Sequence, residues 1–190
     1  MKYIKSYTLF ESEKSIPSPI SIEEFLDAIN MPFESRQTII EWWIENRNRI
    51  QIHYFPFNRN MMAYGAVFSN DSIAINSNFN ADPLFTLYIA LHESAHSDQA
   101  NEQRINPYFD TVVADDLDNF ILAYNELEQE ANDYAEQSMI ELGFNQFIRQ
   151  NVGMLRQNLN YALPVFQAMK RDIQKYKPES LTDLIRNMIL

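Results

Sequence analysis

His92-Glu93-Ser94-Ala95-His96 puts two imidazoles and a carboxylate within one short stretch. On a helix, residues four apart share a face with about 6 Å between their Cβ atoms, so both histidines can converge on a single ion. Glu93 projects beside them, where a carboxylate can take a proton from a water activated by a metal. The chemistry this spacing allows is metal-assisted hydrolysis, with His92 and His96 as ligands and Glu93 as general base. Only three histidines occur in the chain, and two of them lie here. The bland alternative is a chance pair of satisfied polar groups on a helix. Residues 83–91 just upstream are strongly apolar, however, and burying His, Glu and His beside them without a ligand is costly.

A catalytic zinc ion (Zn²⁺) takes three protein ligands and leaves a fourth position for water. No histidine follows His96 and there is no cysteine, so the third ligand is Asp, Glu or the upstream His53. The metzincin pattern, which needs a later histidine, is excluded. SprT-like proteases, whose third ligand is histidine, are disfavoured. The best acidic stretch is residues 126–135. Phe120, Tyr124, Leu127, Ala131, Ala135 and Leu142 form one apolar stripe of a long helix. Glu128 falls on the margin of that stripe, whereas Glu130 groups with Glu126, Asp133 and Gln137 on the polar side. Glu128 is therefore the expected third ligand and Glu130 is expected in solvent. The bland reading of Glu128 is a boundary glutamate in an acidic helix. Asn132, one turn beyond, can hydrogen-bond a ligand from behind.

The elements that must position these groups are legible from caps and periodicity. Ser21-Ile22-Glu23-Glu24 is a capping box that opens a helix over 22–30. Pro32 interrupts, and a second helix runs over 35–49. Residues 50–55, 62–69 and 72–76 read as strands, the last two joined by the turn pair Asn70-Asp71. Asp82-Pro83 is an N-cap followed by proline at the first helical position. The helix from 83 to 99 is apolar around most of its circumference up to Leu91, and a helix of that kind is expected to be buried. A long helix spans 117–142, stopped by Gly143 in a left-handed cap. Further helices fill 144–190, broken by Pro164 and Pro178, with Ser180 as an N-cap. The fold class is α+β. It is expected to be zincin-like, a small antiparallel sheet of about three strands packed on the buried HExxH helix. Residues 1–190 form a single domain: residues 1–49 are helical, 50–143 make the catalytic core, and 144–190 are helical again.

Composition narrows the function classes. Acidic residues number 26 and basic residues 15, a formal charge of −11 that argues against direct nucleic-acid binding. The absence of cysteine removes disulfides, thiolate zinc sites, iron–sulfur clusters and cysteine nucleophiles together. No signal-peptide run follows the N-terminus and no apolar stretch approaches the roughly 20 residues of a membrane span. A soluble, cytoplasmic protein is expected. His53 reads as a satisfied strand histidine, Trp42-Trp43 as core and rim of a helix, and Asp115-Asp116 as a solvated helix start.

Ser72-Ile-Ala-Ile-Asn76, then a proline-started helix ending in HESAH, then Glu128-Gln-Glu-Ala-Asn-Asp-Tyr-Ala135, resembles the ImmA/IrrE metallopeptidases. The resemblance covers about residues 65–143. Two mild departures are Ser94-Ala95 in place of Leu-Gly and Tyr134 in place of phenylalanine. It implies a gluzincin with Zn²⁺ held by His92, His96 and Glu128, the first glutamate of the E-x-E-A-N pattern. It further implies a protein or peptide substrate, and regulatory proteolysis of a protein partner. The strand 72–76 is expected to offer an edge for an extended peptide. Tyr161, Tyr134 and His53 are candidates to stabilise the oxyanion. The alternative is a non-catalytic zinc-binding or interaction domain, against which the presence of Glu93 argues.

Overall fold

The computed structural model describes residues 17–57, 63–69, 71–79, 82–102, 104 and 117–159, with backbone alone at 68, 69, 117–121, 158 and 159. The expectations for Asp115, Asp116, Tyr161, Pro164, Pro178 and Ser180 lie outside these residues.

Helix α1 (Ile22–Ala28) starts where the capping box forms. Glu24 N–H donates to Ser21 Oγ at 3.2 Å, and Ser21 N–H donates to Glu24 Oε2 at 2.8 Å. Helix α2 (Phe33–Arg47) begins two residues earlier than expected, because Pro32 itself takes the N-cap position. Proline needs no hydrogen bond for its nitrogen there. Trp43 is buried and Trp42 half-buried, donating to Glu141 Oε2 at 3.2 Å.

Three strands follow: β1 (Gln51–Phe55), β2 (Gly65–Ser69) and β3 (Ser72–Asn76). The sheet is mixed, which corrects the antiparallel expectation. Its order is β1-β3-β2, with β1 parallel and β2 antiparallel to β3. The reason lies in β3, whose residues are all buried. A strand apolar on both faces takes the centre of a sheet and needs a partner on each side. β3 therefore has no free edge, and the expected peptide-pairing edge at 72–76 does not exist. Among the described residues the strand paired on one side alone and adjoining the HExxH helix is β2.

Asn76, at the end of β3, closes the loops around it. Its Oδ1 accepts from Phe57 N–H and Asn78 N–H, both at 3.1 Å, and its Nδ2 donates to Ala63 O at 2.9 Å. A short 3-10 turn (Ser77–Phe79) leads to α3 (Pro83–Asn101). Asp82 Oδ1 accepts from Leu84 N–H at 2.8 Å and Phe85 N–H at 3.1 Å, the expected N-cap. Helix α4 (Leu117–Glu141) ends before Gly143, whose φ of 89° is the left-handed conformation that favours glycine. Helix α5 (Asn145–Leu159) returns along α4, clipped to it by Arg156 on Glu136 and Asp133.

The main core joins these layers. Ile52, Ile73, Ile75, Leu87, Tyr88, Leu91, Ala135, Met139 and Leu155 are all buried in it. Among the described residues no helix is long and apolar enough to cross a membrane.

Candidate metal centre

Helix α3 is buried from Thr86 to Ala95, so His92 and Glu93 sit inside the protein rather than on it. Helix α4 packs against α3 in antiparallel sense, its buried stripe running through Leu127, Ala131, Ala135 and Met139. The margin of that stripe is buried as well: Glu128 is 7% exposed and Asn132 3%. Successive polar contacts span the two helices, Tyr88 to Asn132, His92 and His96 to Glu128, and Gln99 to Leu127.

The three expected ligand side chains converge. His92 Nε2 and His96 Nε2 are 3.0 Å apart. Glu128 Oε2 lies 3.4 Å from His92 Nε2, and Glu128 Oε1 lies 3.5 Å from His96 Nε2. A tetrahedral shell with bonds of about 2.0–2.1 Å has donor–donor edges of about 3.3 Å. The observed edges fit that shell. Glu128 Oε2 is also buried with no well-formed hydrogen bond from a described residue, the condition of an oxygen suited to a cation. This buried group can hold a metal ion.

The electrostatics agree with the geometry. Burial alone would push the His96 imidazole down, but the Glu128 carboxylate beside it raises it to about 9. Glu128 is buried too, yet the two imidazoles hold its carboxyl well below the usual range. His96 and Glu128 thus favour each other's charged forms, and a metal bound there would displace the proton that His96 holds. Burial raises the Glu93 carboxyl, an effect the neighbouring histidines reduce.

Glu93 lies against the sheet. A Cβ added at Gly65 would meet Glu93 Cγ at 2.6 Å, Oε1 at 2.8 Å and Cδ at 2.9 Å. The bare backbone of β2 thus leaves the space the carboxylate occupies, a role invisible in the sequence because the two residues are far apart in it.

The remaining expectations separate. Glu130 is exposed and paired with Arg104, as the polar face implied. Asn132 is buried, but its Oδ1 accepts from Tyr88 O–H at 3.2 Å, joining α3 to α4. Tyr134 lies under the Arg47 guanidinium, 4.1 Å from its ring centroid, and shares a hydrogen bond with Ser138. Arg47 also donates to Asp98 Oδ2 at 2.8 Å. The His53 ring is 2.8 Å from Pro17 O, on the strand separated from β2 by β3. Neither Tyr134 nor His53 belongs to the converging ligand group.

Gln99 is the residue the sequence reading missed. It follows His96 by three positions, and its Oε1 is 2.7 Å from His96 Nδ1. Its place in the polar tail of α3 gave no sign of burial.

In comparison with known proteins, this chain matches no protein-family model, no curated protein and no solved structure, and the functional reading rests on the site itself.

Proposed function

We propose that this chain is a zinc-dependent peptidase that hydrolyses peptide bonds, with Glu93 as general base. The observation that carries it is the convergence of His92, His96 and Glu128 with a second carboxylate, Glu93, confined beside them by Gly65. A purely structural zinc site needs no such carboxylate. Zinc held there would supply the Lewis acidity that makes water nucleophilic near neutral pH and polarises a scissile carbonyl. Glu93 takes the proton of the attacking water and passes it to the leaving amine nitrogen. Burial raises its carboxyl, which strengthens it as the base that takes a proton from water. β2 supports the substrate, since an extended peptide can pair with a strand bonded on one side alone. The charge of −11 favours basic protein substrates by electrostatic steering. The motif order resembling ImmA/IrrE metallopeptidases agrees with regulatory proteolysis.

The test is metal content with two variants. Purified protein should carry about one zinc per chain, and Glu128→Ala should lose it. Glu93→Gln should keep the zinc and lose cleavage of a peptide library followed by mass spectrometry. Cleavage that survives Glu93→Gln refutes the mechanism. Zinc bound with no cleavage of any peptide makes the chain a zinc-binding domain instead.

A further inference from the structure

Gln99 is 4% exposed, yet it is uncharged and sits among polar groups on both helices. Its amide nitrogen donates to Leu127 O at 3.0 Å and faces Glu130 Oε2 at 3.3 Å. Both partners are pure acceptors, so this end of the amide must be the NH₂. The other end, Oε1, then faces His96 Nδ1 at 2.7 Å and can only accept. His96 therefore bears an N–H at Nδ1 in either protonation state and turns Nε2 toward His92 and Glu128, the nitrogen left free for a metal. Leu127 is the residue before Glu128. One side chain thus grips an imidazole on α3 and the backbone beside the carboxylate on α4. Outside it, Glu130 is held by Arg104 through two bonds of 2.7 and 2.8 Å, and Arg104 N–H donates to Gln99 O at 2.9 Å.

We propose that Gln99 is a positioning residue of the metal centre, fixing the tautomer of His96 and the spacing of α3 from α4, with the Arg104–Glu130 pair as its outer brace. The inference rests on the reading of the site as a metal centre. A carboxylate often plays this part behind a metal-bound histidine, because it accepts the imidazole N–H strongly. Here it would lose the bond to Leu127 and face Glu130 as a like charge. The amide meets both demands at once. His92 has no equivalent: its Nδ1 is buried without a hydrogen-bond partner among the described residues. The brace therefore acts on one imidazole of the two.

The test compares Gln99→Met, which keeps the chain length, with Gln99→Glu, which keeps an acceptor for His96 alone. Zinc affinity is measured by competition with a chromophoric chelator, and the fold of the metal-free protein by circular dichroism and thermal melting. Gln99→Met should weaken zinc binding about 10–100-fold, the usual cost of losing such a partner. Gln99→Glu should stay within about threefold of the parent although its metal-free melting temperature falls at least as far. The visible spectrum of the cobalt-substituted protein should change in Gln99→Met and hold in Gln99→Glu. Glu130→Ala, on the exposed side, keeps the core intact and should lower zinc affinity several-fold. Parent-like zinc binding by Gln99→Met overturns the proposal, as does a loss in both Gln99 variants that simply follows their stability. Unchanged binding by Glu130→Ala removes the brace. A parent protein that takes up no zinc refutes the metal centre itself, an outcome distinct from all of these.

Discussion

Replacing Gly65 by alanine adds one methyl group beside the Glu93 carboxylate. The new Cβ would stand 2.6 Å from Glu93 Cγ, about 0.8 Å inside the 3.4 Å at which ordinary contact begins. The backbone at Gly65 is ordinary strand, so alanine there should by itself add about 0.4–1 kcal/mol. Overpacking works against this by about 1–3 kcal/mol. A net loss of about 1–2 kcal/mol is expected in urea unfolding of Gly65→Ala. Glu93 must move by nearly 1 Å, and a misplacement of that size at a reacting group can cost about 10²-fold in turnover. Zinc content should not change, since Glu93 is not among the three converging ligand groups. The double variant Gly65→Ala with Glu93→Ala settles the cause. Without the Glu93 side chain the clash disappears, and the stability cost of Gly65→Ala should vanish in that background. Equal costs in both backgrounds, or full turnover by Gly65→Ala, would refute the reasoning.

Zinc uptake by metal-free protein should release about one proton per ion at pH 7, because His96 is raised to about 9 by Glu128 and must give its proton up. Calorimetry in buffers of different ionisation enthalpy reads this, and the release should fade above about pH 9. For the metal-free fold the raised His96 contributes stability in full below 6.5 that is lost as pH rises through about 9. The depressed Glu128 contributes stability above about 4.5 that is lost as pH falls. Tyr88→Phe should cost about 1–2 kcal/mol in denaturant unfolding, since it strands Asn132 Oδ1 in the core. Arg47→Ala should cost about 2–4 kcal/mol by the same assay, as it removes a buried guanidinium from Asp98 and Tyr134, and Arg47→Met should recover some of that through packing.

How much of this was legible depended on whether the information was local. The i, i+4 histidines, the Ser21–Glu24 box, the Asp82 cap and the Gly143 stop are short-range patterns, and each formed as read. Glu128 was legible from the margin of the α4 stripe because helical period fixes which face a residue takes. The pairing of β1 with β3 was not, because a strand's own residues show that it will pair but not with which neighbour or in which direction. Gly65 and Gln99 escaped for a related reason. A glycine in a strand and a glutamine near a helix end have many uses, and only the fold shows that one makes room for Glu93 and the other holds His96.

The middle position of β3 also sets an order of events during synthesis. β1 and β2 leave the ribosome first, but neither is the other's neighbour in the finished sheet. Each keeps an open ladder until the intervening strand arrives, and open ladders invite wrong partners. β3 closes both at once, and the segment that emerges after its Asn76 staple is the helix carrying both imidazoles. Glu128 comes later still. All three strands are therefore synthesised before the chain possesses all three ligand groups, and a metal met in that interval would find two histidines and no complete cage.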